Sequence, residues 1–166
     1  MAAYELHTHE FPPLYDENSR ILILGSFPSV KSRQQQFYYG HPQNRFWKIL
    51  AAVTGEEEPR SIPEKRALAL KHGIALWDVI ESCEIRGSSD SSIRNAIPTD
   101  LSRILHTGNI STIYTNGSLA NRLYMKYQYP QTGMEAVALP STSPANAAWS
   151  FERLLTCWQQ IAQTCN

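Results

Sequence analysis

Three short stretches of the sequence carry residues that could do chemistry. In FYYGHPQNRFW, residues 37–47, the rings of Phe37, Tyr38 and Tyr39 and a glycine precede His41 and Asn44. Aromatic faces beside a glycine admit a flat ligand at close range, which is how proteins hold an unstacked base. The Asn44 carboxamide offers a donor and an acceptor and could orient a water. His41, just before Pro42, could touch a phosphate or simply pack. Phe46 and Trp47 share helical spacing with Ile49 and Leu50, which places them in a core.

The other two stretches follow apolar runs. GSFPS (25–29) resembles a phosphate loop only loosely, because neither G-x-x-x-x-G-K-[ST] nor G-x-G-x-x-G is present. A tight strand-exit turn is the simpler reading. LPSTSPAN (139–146) supplies the hydroxyls of Ser141, Thr142 and Ser143 at the start of a predicted helix. Their N–H groups and the helix N-terminus could bind an anion such as a phosphodiester. Ordinary N-capping needs one such residue, not three. Asp78 ends another apolar run and could accept from the N–H edge of a base or cap a turn. CEIRGSSDSSIRNAIP (83–98) reads as a long polar loop with Arg86, Asp90 and Arg94, either closing over a ligand or merely solvated.

A frame must bring these residues together. The runs ILILGS (21–26), GIALWD (73–78), STIYTNG (111–117) and EAVALPS (135–141) are too short for typical helices. Each is followed by turn-forming or polar residues, which predicts strands buried on both faces of a parallel sheet. Helical spacing lies between them. Phe46, Ile49, Leu50 and Val53 mark one helix; SIPE (61–64) reads as a capping box with Pro63 in the first turn and Gly73 as the stop. Thr99 could cap a helix carrying Leu101, Ile104 and Leu105 and ending at Gly108. Leu119, Leu123 and Tyr127 mark another. The last runs from about Pro144, with Phe151, Leu154, Leu155, Trp158 and Ile161 as its apolar stripe. The alternation implies an α/β fold, three-layer α/β/α, with right-handed crossovers around a central four-stranded parallel sheet. Ligands bind beyond the carboxyl ends of such strands. That rule gathers Gly25, Ser26, Asp78, Asn116, Gly117 and residues 140–143 along one edge.

The 166 residues suit a single domain, 1–166, with residues 1–18 as an N-terminal extension, and 42% hydrophobic content is enough for one core. No apolar run approaches the ~18 residues of a membrane span. MAAYELHTHEF lacks the basic-then-apolar order of a signal peptide. A cytoplasmic protein without membrane association is expected. Cys83, Cys157 and Cys165 make neither a disulfide framework nor a zinc pattern, so reduced thiols and no metal site are expected. Net charge is zero, which argues against strong general binding of nucleic acid. The distribution says more. Residues 18–55 hold Arg20, Lys31, Arg33, Arg45 and Lys48, and residues 101–134 hold Arg103, Arg122 and Lys126, with no acid in either segment. If the two segments share a face, that face is positive.

At these motifs the sequence resembles the uracil-DNA glycosylase superfamily, over about residues 19–161. GSFPS takes the place of that superfamily's first motif, and LPSTSPAN the place of the second, which grips the DNA backbone beside the lesion. GHPQNRFW is similar to the segment after the first motif in the mismatch-specific uracil/thymine glycosylases. GIALWDVIES is similar to the strand on which other members carry a base-reading Asn. The DNA-deoxyinosine, or hypoxanthine-DNA, branch resembles this chain in G-S-F-P-S, Y-Y-G-H-P-x-N-R-F-W, G-I-A-L-W-D-V and L-P-S-T-S-P-A-N together. The better-known branches hold a catalytic Asp or Asn where Phe27 stands, and often a His in the second motif. Phe27 cannot polarise water, and LPSTSPAN has no histidine. The resemblance implies that catalysis passes to Asn44, the Asn of H-P-x-N.

It further implies a monofunctional glycosylase, without cofactor and acting as a monomer, that releases deaminated bases from DNA, hypoxanthine first. Asn44 then positions water against C1′. Tyr39, with Phe37 or Tyr38 nearby, stacks on the base, while Asp78 and backbone groups near Ser26 and Phe27 read its edge. His41, Ser141, Thr142, Ser143 and Asn146 hold the DNA backbone. No carboxylate pair of the sugar-hydrolase kind is evident, and no lysine follows the strand ends in a Schiff-base position. The alternatives are a uracil-DNA glycosylase, a non-catalytic module for damaged DNA, favoured by the missing acid at position 27, and a nucleotide-phosphate hydrolase. The last needs metal ligands that these motifs lack.

Overall fold

In the computed structural model, which describes residues 3–86, 90–107 and 109–164, the four apolar runs form β2 (Ile21–Gly25), β3 (Ile74–Asp78), β6 (Thr112–Asn116) and β7 (Ala136–Leu139). They pair in the order β3-β2-β6-β7, all parallel, with Leu22 opposite both Ala75 and Ile113. β2 is buried along its whole length because alternate residues face two helical layers. Ile21 and Ile23 pack with Phe46, Leu50, Leu154 and Trp158. Leu22 and Leu24 pack with Leu101, Ile104 and Tyr124. The first layer is α2 (Phe46–Thr54), α3 (Ile62–Lys71), α7 (Phe151–Trp158) and α8 (Gln160–Thr164). The second is α4 (Ser102–Thr107), α5 (Ser118–Tyr127) and α6 (Tyr129–Thr132). Each large apolar side chain fully buried between the layers contributes about 1.5–3 kcal/mol.

The predicted capping box is present. Ser61 Oγ accepts from Glu64 N at 3.2 Å and donates to Glu64 Oε2 at 2.9 Å. Gly73, at φ +70°, takes the left-handed turn after α3 that a side chain would strain. Two helix starts differ from the sequence reading. Thr99 is buried and donates to the Asp78 carbonyl at 2.8 Å, while Asp100 Oδ1 takes the N–H of Ser102 at 3.0 Å. The helix predicted from about Pro144 begins at Phe151 as α7, capped by Ser150, and its stripe residue Ile161 falls in α8. Ser141 Oγ accepts from Ser143 N and Ser143 Oγ from Ala145 N, both at 3.1 Å, so side-chain turns replace helical bonds there. Among the described residues, no helix N-terminus therefore stands at 141–146. Gly108 and Cys165 lie outside the described residues; Cys83 is buried, and Cys157 is a half-buried free thiol.

A second sheet was not expected. β1 (Tyr4–Thr8), β4 (Ile80–Arg86) and β5 (Arg94–Pro98) pair antiparallel in the order β1-β4-β5. Most of the segment read as a polar loop, and part of the presumed N-terminal extension, thus form strands. Cys83 and Ile85 point inward beneath Phe27. Phe11 and Leu14 enter the main core, and Leu14 bridges to Leu76. A short helix, α1 (Val30–Gln35), capped by Ser29, follows the strand-exit turn of β2.

The chain runs from β2 outward to β3, then returns past β2 to β6. The carboxyl ends of β2 and β6 therefore flank the point where strand order reverses, where open α/β sheets bind ligands.

Candidate active site

A cleft of about 960 Å³ opens at that point, bordered by Gly25, Tyr39, Asn44, Asp78, Asn116 and the 138–149 segment, with Ile85 reaching in from the second sheet and Ser91 from the turn between β4 and β5. A separate hollow of about 180 Å³ beside α4 and α6 is built from other residues, among them Thr99, Leu105 and Gln128.

Asp78 ends β3 and is 4% exposed. Its Oδ2 lies 2.7 Å from His9 Nε2. A carboxylate only accepts, so Nε2 carries the shared proton. His9 follows β1 and packs against Phe11 with ring centroids 4.5 Å apart and planes tilted by 54°; the sequence reading missed it, since its partner is 69 residues away. Asp78 Oδ1 lies against Gly25, where a Cβ would sit only 2.5 Å from it. Glycine is required there by close approach.

Tyr39 adopts φ +53°, a left-handed conformation uncommon for a bulky residue. Its ring lies on Phe46, with centroids 4.0 Å apart and planes 22° apart. Phe46 thus covers one face of a ring that borders the cleft. The hydroxyl is buried beside Gly25 and Asp78, with the Asn116 side chain close by, and makes no hydrogen bond of normal geometry among the described residues. Burial first, and the Asp78 carboxylate second, push the phenol well above its ordinary pKa. Phe37 does not border the cleft, and Tyr38 borders it only as a buried residue. Phe37 stacks on Trp47 in the core, and the buried Tyr38 donates to the Pro12 carbonyl at 2.8 Å.

Asn44 Oδ1 accepts from Phe46 N at 3.0 Å and from Thr142 Oγ1 at 2.8 Å. Thr142 is fully buried, and Asn116 binds both its hydroxyl, at 3.0 Å, and its N–H, at 3.1 Å. The expectation that Thr142 touches DNA is corrected: its polar groups are engaged inside. Ser141 and Ser143 border the cleft, and because their oxygens accept backbone N–H groups, each O–H remains to donate. Asn146 Nδ2 donates to the Ser141 carbonyl at 3.0 Å. The Ser26 carbonyl accepts from Ile80 N at 3.0 Å, and Phe27 forms cleft wall over Ile80, Cys83 and Ile85. His41 lies outside the cleft lining; its Nδ1 accepts from Gln43 N at 3.1 Å.

The basic residues do not all share one face. Arg45 donates to the carbonyls of Ser143, Asn146 and Trp149 and fastens the loop to α2. Arg20 precedes β2, at the amino edge of the sheet. Arg33 does border the cleft, its guanidinium 5.7 Å over the Phe27 ring, and its buried Nε has no partner among the described residues.

The model of the Uracil DNA glycosylase superfamily matches residues 12–162. The chain belongs to this superfamily. It is 39% identical over 147 residues to a Methanosarcina acetivorans protein named hypoxanthine DNA glycosylase, covering 86% of this chain and 90% of that one. A Methanosarcina barkeri protein of the same name is 43% identical over 86 residues, 51% of this chain and 54% of its own. The fold matches, with a TM-score of 0.80 and 34% identity, the solution NMR structure of a Methanosarcina acetivorans protein provisionally described as a uracil DNA glycosylase. That match covers 93% of this chain and 96% of the other. The family resemblance read from the motifs and the three-layer fold around four parallel strands are both borne out. Among the described residues, no helix is long and apolar enough to cross a membrane, and no group of three or more His, Cys, Asp or Glu is placed to hold a metal.

Proposed function

We propose that the protein is a monofunctional DNA glycosylase of base excision repair that hydrolyses the N-glycosidic bond of deaminated bases, hypoxanthine in preference to uracil. One observation carries this: a cleft at the switch point of a superfamily fold gathers the Tyr39 ring, the buried Asp78 carboxylate and the Asn44 amide around one space, with the apolar Phe27 in its wall. The extruded base lies on the Tyr39 ring. Asp78, held by His9, takes the N1–H of hypoxanthine on Oδ1. Ser141, Ser143, Asn146 and Arg33 hold phosphates around the extruded nucleotide, with His41 farther out. Among the described residues no lysine lines the cleft, which supports simple hydrolysis over a Schiff-base route. The protein acts as a monomer.

Asn44 is the group at the reacting centre. Removing a positioned polar group typically lowers rate by ~10²–10³. Asn44→Ala should lose base release by that factor and still bind duplex; release within about tenfold of wild type would refute the assignment. A borohydride-trapped DNA adduct would refute simple hydrolysis. Uracil preference is the second reading, favoured by the description of the solution structure above. Faster release from uracil than from hypoxanthine duplexes would establish it.

A further inference from the structure

The direction in which the Asn44 amide points is fixed by a chain of hydrogen bonds that starts and ends on backbone N–H groups. The Thr142 N–H donates to Asn116 Oδ1 at 3.1 Å, so the other end of that amide, Nδ2, is the donor to Thr142 Oγ1 at 3.0 Å. A hydroxyl that accepts there has its own hydrogen for its remaining neighbour, Asn44 Oδ1, at 2.8 Å. The Phe46 N–H donates to the same oxygen at 3.0 Å. Turning either amide over would set donor against donor. Asn44 therefore borders the cleft with Nδ2 as its unengaged group, and none of the described residues takes its hydrogens.

We infer that Asn44 serves the reaction as a hydrogen-bond donor to the departing base, and that Thr142, backed by Asn116, is the positioning residue that keeps the donor facing the cleft. The inference rests on the glycosylase reading above. In that reaction the C1′–N9 bond breaks and its electron pair leaves with the base. The water oxygen forms the new bond to C1′ and releases a proton to solvent, and the base anion takes up a proton. Negative charge grows on the purine, over N3, N7 and O6, while the water oxygen loses electron density as it bonds. A donor stabilises the first and opposes the second. This replaces the expectation that Asn44 orients water. It also explains a threonine sealed inside a loop of serines: its hydroxyl ties the segment bordering the cleft to the reacting side chain.

Single-turnover release from a hypoxanthine duplex at neutral pH, with duplex affinity measured alongside, tests the inference on three variants. Asn44→Asp can still accept from Phe46 N–H and Thr142 O–H, so the fold is kept, and release measured with all duplex bound separates the chemical step from repulsion of phosphate by the new charge. It places an anionic oxygen where the donor stood, and release should fall by ~10²–10³. Thr142→Val keeps the shape and removes the hydroxyl; release should fall by about tenfold, the size of one lost hydrogen bond, at unchanged affinity. Thr142→Ser should return release to near wild type. Asn44→Asp as active as wild type would show that an acceptor works at this position and would overturn the inference. Thr142→Ser as slow as Thr142→Val would do the same by assigning the effect to packing. If Thr142→Val does not fold, Asn44→Asp and Thr142→Ser still decide. A wild-type protein that releases no deaminated base would instead refute the function itself.

Discussion

Replacing His9 by phenylalanine should destabilise the protein far more than a change at its surface. The His9 and Asp78 side chains are 1% and 5% exposed and 2.7 Å apart, so solvent screening is slight. Phenylalanine keeps a ring of similar size against Phe11, Phe27 and Trp77, which limits the loss of packing. What remains is a buried carboxylate without its partner, and breaking a buried pair from one side costs about 3–5 kcal/mol. For a chain of 166 residues each kcal/mol shifts Tm by about 2–4 °C, which gives a drop of roughly 6–20 °C. Adding Asp78→Asn removes the stranded charge, so the double variant should recover much of the loss, with a coupling of about 2 kcal/mol or more. Urea unfolding at 25 °C and calorimetry of wild type, both single variants and the double variant give the cycle. A His9→Phe loss under about 1 kcal/mol, with no coupling to Asp78, would refute the claim that this pair anchors the cleft.

Gly25→Ala brings a Cβ to 2.5 Å from Asp78 Oδ1, a carboxylate that His9 prevents from swinging away. Hypoxanthine release should fall at least about tenfold and Tm should drop; unchanged release would show that the carboxylate does not read the base. Arg45→Met frees the carbonyls of Ser143, Asn146 and Trp149. It should lower stability by about 1–2 kcal/mol, since water replaces part of the lost bonding, and speed hydrogen exchange in 143–149. Exchange at the wild-type rate would contradict that role. Arg33→Gln should weaken duplex binding and reduce the slope of log K against log salt by about 1, while an unchanged slope would mean that no phosphate reaches it.

The parallel sheet was legible because ILILG, IALWD, TIYTN and AVAL are short apolar runs, three of them mostly buried, each ending beside the cleft. The second sheet was not. YELHT and RNAIP are strands with mostly exposed or half-buried residues, so they lack a hydrophobic face and read like loop. In β4, only Ile80, Cys83 and Ile85 carry the buried face, and a β-bulge interrupts their alternation. The site divides in the same way. Asn44, Tyr39 and Asp78 stood out by type and place. His9 did not, because sequence spacing is silent about a contact across 69 residues. Thr142 was grouped with Ser141 and Ser143 as a hydroxyl cluster. Only the fold shows that one of the three turns inward, to Asn44 and Asn116. The late start of α7 has a related cause: serine side chains and Arg45 take over the backbone groups that a helix from Pro144 would have used.

The most direct test of the account is the rate at which abasic sites form in duplexes carrying one hypoxanthine, one uracil or only normal bases, with enzyme in excess. The account predicts rapid release of hypoxanthine, slower release of uracil, none from intact DNA, and loss of both activities in Asn44→Ala. No abasic product from the hypoxanthine duplex, or an Asn44→Ala protein as fast as wild type, would contradict it.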